Sequence, residues 1–239
     1  MAIVTGGSSG IGRAACLLMA REGAAVTVVG THRQRVEEVV TEAGRASTAD
    51  NRPLGLALDV RSEADMDEMA ARTLDRFGRI DILVACAGIL RPPGTPPKPL
   101  ARVSEAEWSE VVDINLKGTF LANRAVLPTM LCRRQGDIVN VSSISGLKGR
   151  AHDAPYCASK FGLIGMTESL AAEVRGHGIR VQCVIPGAVD TPIWKQNAPV
   201  PVPVGALTPE RVAALIVFVL ELPADATLPT AVVVPLRHR

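Results

Sequence analysis

Residues 2–12 read Ala-Ile-Val-Thr-Gly-Gly-Ser-Ser-Gly-Ile-Gly, which predicts a strand, a tight turn and a helix in direct succession. In such a turn Gly6 permits the bend, Gly10 lets the backbone approach a pyrophosphate, and Gly12 lets the helix pack near the strand. The first N–H groups of the helix are then free to bind the anion. The glycine spacing differs from the commoner G-x-G-x-x-G, and a flexible connection without a ligand is the alternative.

The alternation of short apolar runs and longer helical segments continues along the chain. We predict strands at residues 2–5, 25–30, 53–59, 82–85, 137–142, 180–185 and 231–235. Helices are predicted at residues 11–22, 33–43, 63–77, 105–132, 154–176 and 209–221. The inner strands are almost continuously apolar, which is typical of strands covered on both faces. The fold class is therefore α/β, a single doubly wound, Rossmann-type domain over residues 1–239, with a seven-stranded parallel sheet and helices on both faces.

The composition of the chain argues against several classes of protein. The 26 basic and 24 acidic residues give a net charge of +2, which is too small to indicate nucleic acid or an anionic membrane. The five cysteines are odd in number and form no Cys-x-x-Cys pair, so we expect neither a disulfide framework nor a metal site. The N-terminus does not resemble a signal peptide, and the longest apolar run, 212–220, is too short to cross a bilayer. We expect a cytoplasmic protein with no membrane, metal or nucleic-acid partner.

Two proline-rich stretches, residues 91–99 and 197–203, are predicted to be loops, because successive prolines remove backbone donors and forbid helix. They follow the fourth and sixth strands, which places them at the carboxyl edge of the sheet, where open α/β folds bind ligands. We interpret the region of about residues 188–208 as a substrate loop. Ordinary surface connections are the alternative.

Tyr156 is the only tyrosine of the chain, and Lys160 follows it by one helical turn, so the phenol and the ammonium share a helix face. A neighbouring cation favours the phenolate, which predicts a phenol pKa below its ordinary value of about 10. Such a group can exchange protons as a general acid and base. A pair of this kind also occurs by chance, and a tyrosine packed in the core is the alternative.

Several motifs together resemble those of the short-chain dehydrogenase/reductases over nearly the whole chain. Residues 5–12 are similar to the cofactor turn of that family, Asp59-Val60 to its adenine contact, and residues 85–88, Ala-Cys-Ala-Gly, to its Asn-Asn-Ala-Gly segment. Further matches are Asn115 in Ile-Asn-Leu-Lys-Gly, Ser143 in Val-Ser-Ser-Ile-Ser-Gly, Tyr156 with Lys160, and Pro186-Gly187 followed by Thr191. Their order and spacing agree as well, which makes the set specific.

The resemblance implies an enzyme that interconverts a carbonyl and a secondary alcohol by hydride transfer with a nicotinamide cofactor. Tyr156 would be its general acid and base, and Lys160 would lower the phenol pKa and bind the nicotinamide ribose. Ser143 would hydrogen-bond the substrate oxygen, and Asn115 would hold a water that links Lys160 to solvent. A serine that caps a strand end and an asparagine bonded to its own backbone are the structural alternatives.

The resemblance and the turn together imply the residues that bind the cofactor. They are Gly6, Ser8, Ser9, Gly10, Ile11, Gly12, Thr31, His32, Arg33, Asp59, Val60, Ala87, Gly88, Tyr156, Lys160, Pro186, Gly187, Val189 and Thr191. After the second strand, where a carboxylate would bind the ribose 2′-hydroxyl, the sequence has Gly30-Thr31-His32-Arg33 instead. Hydroxyl, imidazole and guanidinium groups can contact a 2′-phosphate, so NADP(H) is favoured and NAD(H) is the alternative.

Two features depart from the family pattern. Cys86 stands where the family usually has an asparagine, and the C-terminal segment lacks the frequent Asp-Gly-Gly. By position, the candidate residues of the substrate pocket are Ser145, His152, Asp153, Ala188 and Trp194. These side chains do not converge on a charge, so they indicate no particular substrate.

Two interpretations of function remain. The first is an NAD(P)(H)-dependent oxidoreductase that acts on a small-molecule carbonyl or alcohol. The second is a dinucleotide-binding regulatory or scaffolding protein without turnover, since a fold does not fix a function. The resemblance also implies a homo-oligomer, a tetramer or a dimer. An apolar stripe on the predicted helix 154–176 is either its interface or part of the core, and consists of Phe161, Ile164, Leu170 and Val174.

Overall fold

A computed structural model describes residues 1–48, 52–197 and 200–236. Within these ranges seven strands form one parallel sheet in the order β3-β2-β1-β4-β5-β6-β7. The strands are β1 Ala2–Thr5, β2 Val26–Gly30, β3 Leu54–Ala57, β4 Ile82–Ala85, β5 Gly136–Val141, β6 Ile179–Pro186 and β7 Thr230–Val233. The strand order reverses between β1 and β4, which is the switch point at which doubly wound folds bind ligands.

Helices connect the strands and cover both faces of the sheet. They are α1 Gly10–Arg21, α2 Arg33–Ala46, α3 Glu63–Phe77, α4 Glu105–Val112, α5 Gly118–Arg133, α6 Ala154–Val174 and α7 Pro209–Leu220. Short 3₁₀ turns occupy Leu100–Arg102, Ile144–Gly146, Arg175–His177 and Pro192–Asn197. The predicted doubly wound α/β fold is therefore confirmed.

Alternation of side chains along the strands divides the core into two layers. In β1, Ala2 and Val4 pack with α1, α2 and α7, whereas Ile3 packs with α3 and α5 on the other face. All three residues are fully buried. This explains why the strand reads as an unbroken apolar run rather than an alternating one.

The predicted helix at 105–132 is wrong as a single element. It is interrupted by a π-helical turn at Asp113–Lys117, in which the N–H of Gly118 donates to the carbonyl of Asp113. A side chain at Gly118 would come within 2.7 Å of Val60, so the backbone of this turn packs directly on the segment after β3. Such single π turns are frequent at functional sites, and this one contains Asn115.

Smaller differences concern the ends of elements. The predicted strand 53–59 is shorter, because beyond Ala57 the chain turns and the Asp59 side chain bonds Arg61. The predicted helix 154–176 ends at Val174 and tightens into a 3₁₀ turn before Gly178, whose φ of 71° ends the helix. The last strand ends at Val233 rather than at residue 235.

Both proline-rich stretches follow strands at the carboxyl edge of the sheet, as predicted. Residues 91–99 form a loop after β4. After β6, the ends of the predicted substrate loop are joined, because Leu207 donates to the Ala188 carbonyl and Asp190 donates to the Leu207 carbonyl. Residues 198 and 199 of the second stretch lie outside the described residues, and residues 200–203 carry no helix or strand.

Candidate active site

A cavity of about 540 Å³ opens where the carboxyl ends of β4, β5 and β6 meet. Its walls come from these strand ends, from the segment after β5, from α6 and from the loop after β6. The side chains at its inner end are polar, and include Ser143, Tyr156 and Lys160. The parallel sheet therefore brings these three predicted catalytic residues into one cavity.

The glycine turn packs so closely that side chains would not fit. Gly6 has a φ of 66°, and a Cβ there would lie 2.7 Å from the backbone nitrogen of Ala87. A Cβ on Gly12 would overlap the carbonyl oxygen of Gly6. Glycine at position 6 therefore allows both the bend and the close contact with the segment after β4. Glycine at position 12 allows α1 to pack against the turn.

The N-terminus of α1 offers backbone donors to an anion. Gly10, its first residue, has a φ of 50°, and a Cβ there would lie 3.1 Å from the Thr191 side chain across the switch point. Ser9 occupies the N-cap position, but its side chain makes no capping hydrogen bond. The first N–H groups of the helix therefore remain available, and the turn fits the pyrophosphate of a dinucleotide.

The segment after β2 is open and free of carboxylates. Thr31, His32 and Arg33 are all exposed, and His32 caps α2 without a side-chain hydrogen bond to it. A Cβ on Gly30 would lie 2.6 Å from the Ser8 hydroxyl, so this strand end packs directly on the glycine turn. The arrangement fits the adenosine end of a dinucleotide with a phosphate on its ribose.

The segments after β3 and β4 surround the space in front of the turn. The Asp59 carboxylate is bound by the Arg61 guanidinium at 2.6 Å, and this hydrogen bond lowers the pKa of Asp59. Val60 is buried against Gly118. A Cβ on Gly88 would lie 3.2 Å from Asn115 Oδ1 and 3.6 Å from Lys160 Nζ, so the β4 end meets two of the predicted catalytic residues there.

Helix α6 holds Tyr156 and Lys160 on its buried side. The two side chains are 9 % and 5 % exposed, and Lys160 Nζ lies 5.8 Å from the centre of the tyrosine ring. The ammonium donates to the Val141 carbonyl at 3.0 Å, which fixes it at the end of β5. The Ser142 hydroxyl in turn donates to the Lys160 carbonyl at 3.0 Å. The cation is therefore held by the strand rather than free in the cavity.

Burial dominates the acid–base properties of this pair. Burial raises the pKa of Tyr156, while hydrogen bonding to Ser143 and the charge of Arg150 lower it to a smaller extent. The prediction that the phenol pKa lies below its ordinary value is therefore wrong in this structure, because sequence spacing does not report how much water the phenol loses. Burial also lowers the pKa of Lys160 to about 8.

Because the chain has a single tyrosine, the titration of Tyr156 can be measured directly. We expect its phenolate absorbance to appear only above the ordinary pKa of about 10, since burial penalises the charged form. The measurement is an ultraviolet pH titration of the protein without cofactor, with the Tyr156→Phe variant as the blank. A transition below pH 10 that disappears in the variant would contradict this expectation.

Ser143 and Asn115 differ in how they are held. Ser143 lies two residues after β5 and its hydroxyl accepts the Ser145 N–H at 3.1 Å, so its O–H remains able to donate. Asn115 is fully buried, and its amide exchanges two hydrogen bonds with the backbone of Ile89, at 2.8 and 2.9 Å. It also donates to Ser159 at 3.0 Å. Asn115 thus ties the β4 end to α6, and the water predicted beside it stays a prediction.

Comparison with known proteins agrees with this geometry. The sequence profile of the family described as short chain dehydrogenase matches residues 1–200. The chain belongs to the short-chain dehydrogenase/reductase family. It is 40 % identical over 196 residues to the (2S)-[(R)-hydroxy(phenyl)methyl]succinyl-CoA dehydrogenase subunit BbsD of Thauera aromatica, covering 82 % of this chain and 75 % of that one. It is 37 % identical over 225 residues to the 3-oxoacyl-[acyl-carrier-protein] reductase FabG of Thermotoga maritima, covering 90 % and 88 %.

Solved structures resemble the whole fold of this short-chain dehydrogenase/reductase. Levodione reductase superposes with a TM-score of 0.89 at 31 % identity, covering 98 % of this chain and 94 % of that one. A metagenomic short-chain oxidoreductase in complex with NADP superposes with a TM-score of 0.84 at 30 % identity, covering 99 % and 97 %. The chain is thus an oxidoreductase of a family that binds nicotinamide dinucleotides.

Cys86, the departure from the family pattern, lines the cavity at the β4 end. Its backbone N–H donates to the Thr5 carbonyl at 3.2 Å, which continues the pairing of β4 with β1. Burial raises the pKa of the thiol to about 11, so it stays protonated at neutral pH and is a poor nucleophile. The residue therefore behaves as a small apolar side chain in this wall.

The predicted pocket residues separate into two groups. Ser145, Ala188 and Trp194 line the cavity, and the Trp194 indole is fixed by its bond to the Val189 carbonyl at 2.8 Å. His152 and Asp153 do not line it, and border a small neighbouring void instead. In this respect the prediction is wrong, because the turn that contains His152, with a φ of 68°, directs both residues toward the loop after β4.

Sequence reasoning missed the charged residues around this cavity, namely Arg91, Lys148 and Arg150. The signal was present, because residues 144–155 must connect Ser143 to Tyr156 and cannot lie far from either. A survey of the charged residues in that connection would have found two of the three. Among the described residues, no group of three or more His, Cys, Asp or Glu is placed to hold a metal ion, and no helix has the length and apolar character needed to span a membrane.

Proposed function

We propose that this chain interconverts a carbonyl and a secondary alcohol with NADP(H), and that Tyr156 is the general acid and base. The observation that supports this most is the placement of Tyr156, Ser143 and the buried cation of Lys160 in a single cavity beside the glycine turn. A bound nicotinamide supplies the hydride in reduction and accepts it in oxidation.

In the direction of reduction, the substrate oxygen gains negative charge as its carbon is reduced. Tyr156 donates its phenolic proton to that oxygen, and the Ser143 hydroxyl donates a hydrogen bond to it. The raised pKa of Tyr156 keeps the phenol protonated before reaction, and the positive charge of Lys160 stabilises the phenolate that forms. The low local dielectric of the cavity strengthens each of these interactions.

We propose that Asn115 helps to return a proton to Tyr156 after the phenol has donated its own. Its side chain bonds Ile89 and Ser159, and both its Oδ1 and Lys160 Nζ lie next to Gly88. A water held near this corner would pass a proton to Lys160 and from there toward the tyrosine. The buried lysine, whose pKa of about 8 lies near working pH, is suited to both accept and release it.

The cofactor would be held by the residues that frame the switch point. We propose that the turn from Gly6 to Gly12 binds the pyrophosphate, that Asp59 and Val60 flank the adenine, and that Lys160 binds the nicotinamide ribose. The remaining predicted contacts are Ala87, Gly88, Pro186, Gly187, Val189 and Thr191. NADP(H) is favoured over NAD(H) because the exposed segment after β2 carries Arg33 and no carboxylate.

This preference can be tested with two arginines of the same helix. Arg33→Ala is expected to raise the KM for NADPH about tenfold, the cost of one charge-assisted hydrogen bond, with little change for NADH. Arg35 is also exposed but lies two positions on, where helical geometry directs it away from Arg33. Arg35→Ala is therefore the matched control. Equal loss in both variants, or a native protein that prefers NADH, would contradict the proposal.

The proposed activity is tested by following nicotinamide absorbance with a panel of ketones and secondary alcohols. Cofactor-dependent turnover of any member supports an oxidoreductase. Tight cofactor binding without turnover of any member would instead favour the alternative, a dinucleotide-binding regulatory or scaffolding protein.

The proposal also covers the cellular location of the protein and its oligomeric state. We propose the cytoplasm, because the five cysteines, all within the described ranges, are free thiols. The homo-oligomer stays a prediction. Of the apolar stripe on α6, Leu170 and Val174 pack into the core, whereas Phe161 is 46 % exposed and available for a subunit contact.

A further inference from the structure

The charged side chains that line the cavity are all basic. They are Lys148, Arg150 and Lys160, and the described lining contains no aspartate or glutamate. Lys160 is buried beside Tyr156, whereas Lys148 and Arg150 lie in the exposed segment 147–150 at the rim. A cavity lined by charges of one sign attracts ligands of the opposite sign.

The positive charge of Arg150 is not neutralised by its partner. Asp153, 3 % exposed, accepts hydrogen bonds from both Arg150 and Arg91. Arg91 is a buried guanidinium, and a buried charge needs a counter-charge beside it. Asp153 therefore shares one negative charge between two guanidiniums, and Arg150 is the more exposed of the two, with a side chain that is 44 % exposed.

The free edge of Arg150 suits an oxyanion. Within the described part of the chain, its guanidinium bonds Asp153 through Nε alone, so both Nη groups remain available. A guanidinium held in this way by one anion is oriented, and it can bind a carboxylate or a phosphate through two parallel hydrogen bonds. Asp153 acts here as a positioning residue.

Lys148 adds a second cation two residues away. Its side chain is exposed, lines the same cavity, and forms no ion pair with a described residue. Most of the other residues that line the cavity are apolar. The apolar side chains include Leu90, Leu147, Ala188, Ile193 and Trp194.

We propose that Lys148 and Arg150 form an anion subsite, and that the enzyme selects carbonyl substrates in which a carboxylate or phosphate is joined to the reacting carbon through an apolar spacer. The proposal rests on the function proposed above, because it places the reacting carbonyl at Tyr156. The subsite lies apart from the predicted pyrophosphate contacts, because Lys148 and Arg150 follow β5, whereas Ile11 is the one residue of the turn from Gly6 to Gly12 that lines this cavity. A bound cofactor would share the cavity, since its predicted contacts Lys160, Pro186 and Thr191 also line it.

The test measures binding, so that it does not depend on turnover. Protein saturated with NADP⁺ is titrated by calorimetry with 4-oxopentanoate, 5-oxohexanoate and 4-oxocyclohexanecarboxylate, each beside its neutral methyl ester, and with 5-oxohexyl phosphate beside the alcohol. We expect at least one anion to bind about tenfold or more tightly than its neutral partner. Comparison of the carboxylate ligands with the phosphate ligand shows which of the two anionic groups the subsite prefers.

Substitutions then locate the effect. Arg150→Gln and Lys148→Gln are each expected to reduce the preference for the anion severalfold, and the double variant to remove it, while Arg150→Lys retains part of it. For each variant, the affinity for the anion is divided by the affinity for its neutral partner. A substitution that merely distorts the cavity should weaken both ligands alike and leave this ratio unchanged, because both ligands use the same cavity. Arg175→Gln, which removes an exposed arginine at the opposite end of α6, is the matched control and should leave the ratio unchanged.

Two results would overturn the subsite. One is equal affinity of anion and neutral partner across the whole series, and the other is a preference that survives in the double variant. The same ligands assayed for turnover with NADPH separate the two proposals. Turnover without preference for the anion defeats the subsite alone. Preference for the anion without turnover of any ligand leaves the anion site in place but defeats the proposed activity, and with it the selection of carbonyl substrates.

Discussion

Tyr156→Phe is expected to lower kcat/KM by about 10²–10⁴-fold, because the substitution removes the proposed proton donor and leaves the ring in place. The ring is buried and Lys160 is anchored independently to the Val141 carbonyl, so the cavity should keep its shape. Nicotinamide absorbance with the best substrate of the panel measures the loss. The affinity for NADP(H), measured by calorimetry, should change little, since one hydroxyl among many predicted contacts is removed.

The variant also separates the two candidate roles of the tyrosine. If Tyr156 were only a packed core residue, removal of one hydroxyl would alter activity little, and the stability change would be of the order of one hydrogen bond, about 1 kcal/mol. Turnover within a factor of three of the native rate would therefore defeat the assignment of the acid. Loss of cofactor binding together with activity would point instead to a collapsed site.

Asp153→Ala is expected to lower the free energy of unfolding by about 3–5 kcal/mol, because it removes the carboxylate that pairs with the buried Arg91 guanidinium. The carboxylate and the Arg91 guanidinium are both almost completely buried, and they join the loop after β4 to the residue that immediately precedes α6. Denaturant unfolding followed by circular dichroism measures the change. We also expect reduced activity, since Tyr156 lies three residues beyond.

The ion pair between Arg72 and Glu68 provides the matched control. It also joins an arginine to a carboxylate, at 3.3 Å, but both side chains are about half exposed on α3. Glu68→Ala should therefore cost less than about 1 kcal/mol. Equal effects of the two substitutions would show that burial does not set the strength of the Arg91–Asp153 pair.

The sheet could be predicted from sequence because its signals are local. The glycine turn and the apolar strands specify parallel pairing without information from elsewhere in the chain. The π turn at Asp113–Lys117 could not, since residues 105–132 have the pattern of a continuous helix. The turn is accompanied by bonds between Asn115 and Ile89, and by the contact of Gly118 with Val60, which no local pattern contains.

In the candidate active site, too, some features follow from the sequence and others depend on tertiary contacts. The structure brings Ser143, Tyr156 and Lys160 into one cavity, because the end of β5 meets α6, whose i, i+4 spacing holds the tyrosine and the lysine on one face. The sequence does not predict the direction of the Tyr156 pKa shift, since this depends on loss of water from the folded cavity. The partnership of Arg91 with Asp153 spans 62 residues and joins two loops, so neither spacing nor periodicity could indicate it.

The joined ends of the loop after β6 have a consequence for the evolution of this enzyme. Val189 and Leu207 form a bridge, so the peptide between them leaves and re-enters the domain at almost one point. Lengthening a closed excursion adds little entropic cost, roughly 0.6 kcal/mol for each doubling. The segment between Thr191 and Leu207 can therefore change in length and sequence, and with it the wall of the cavity, while the sheet beneath is retained.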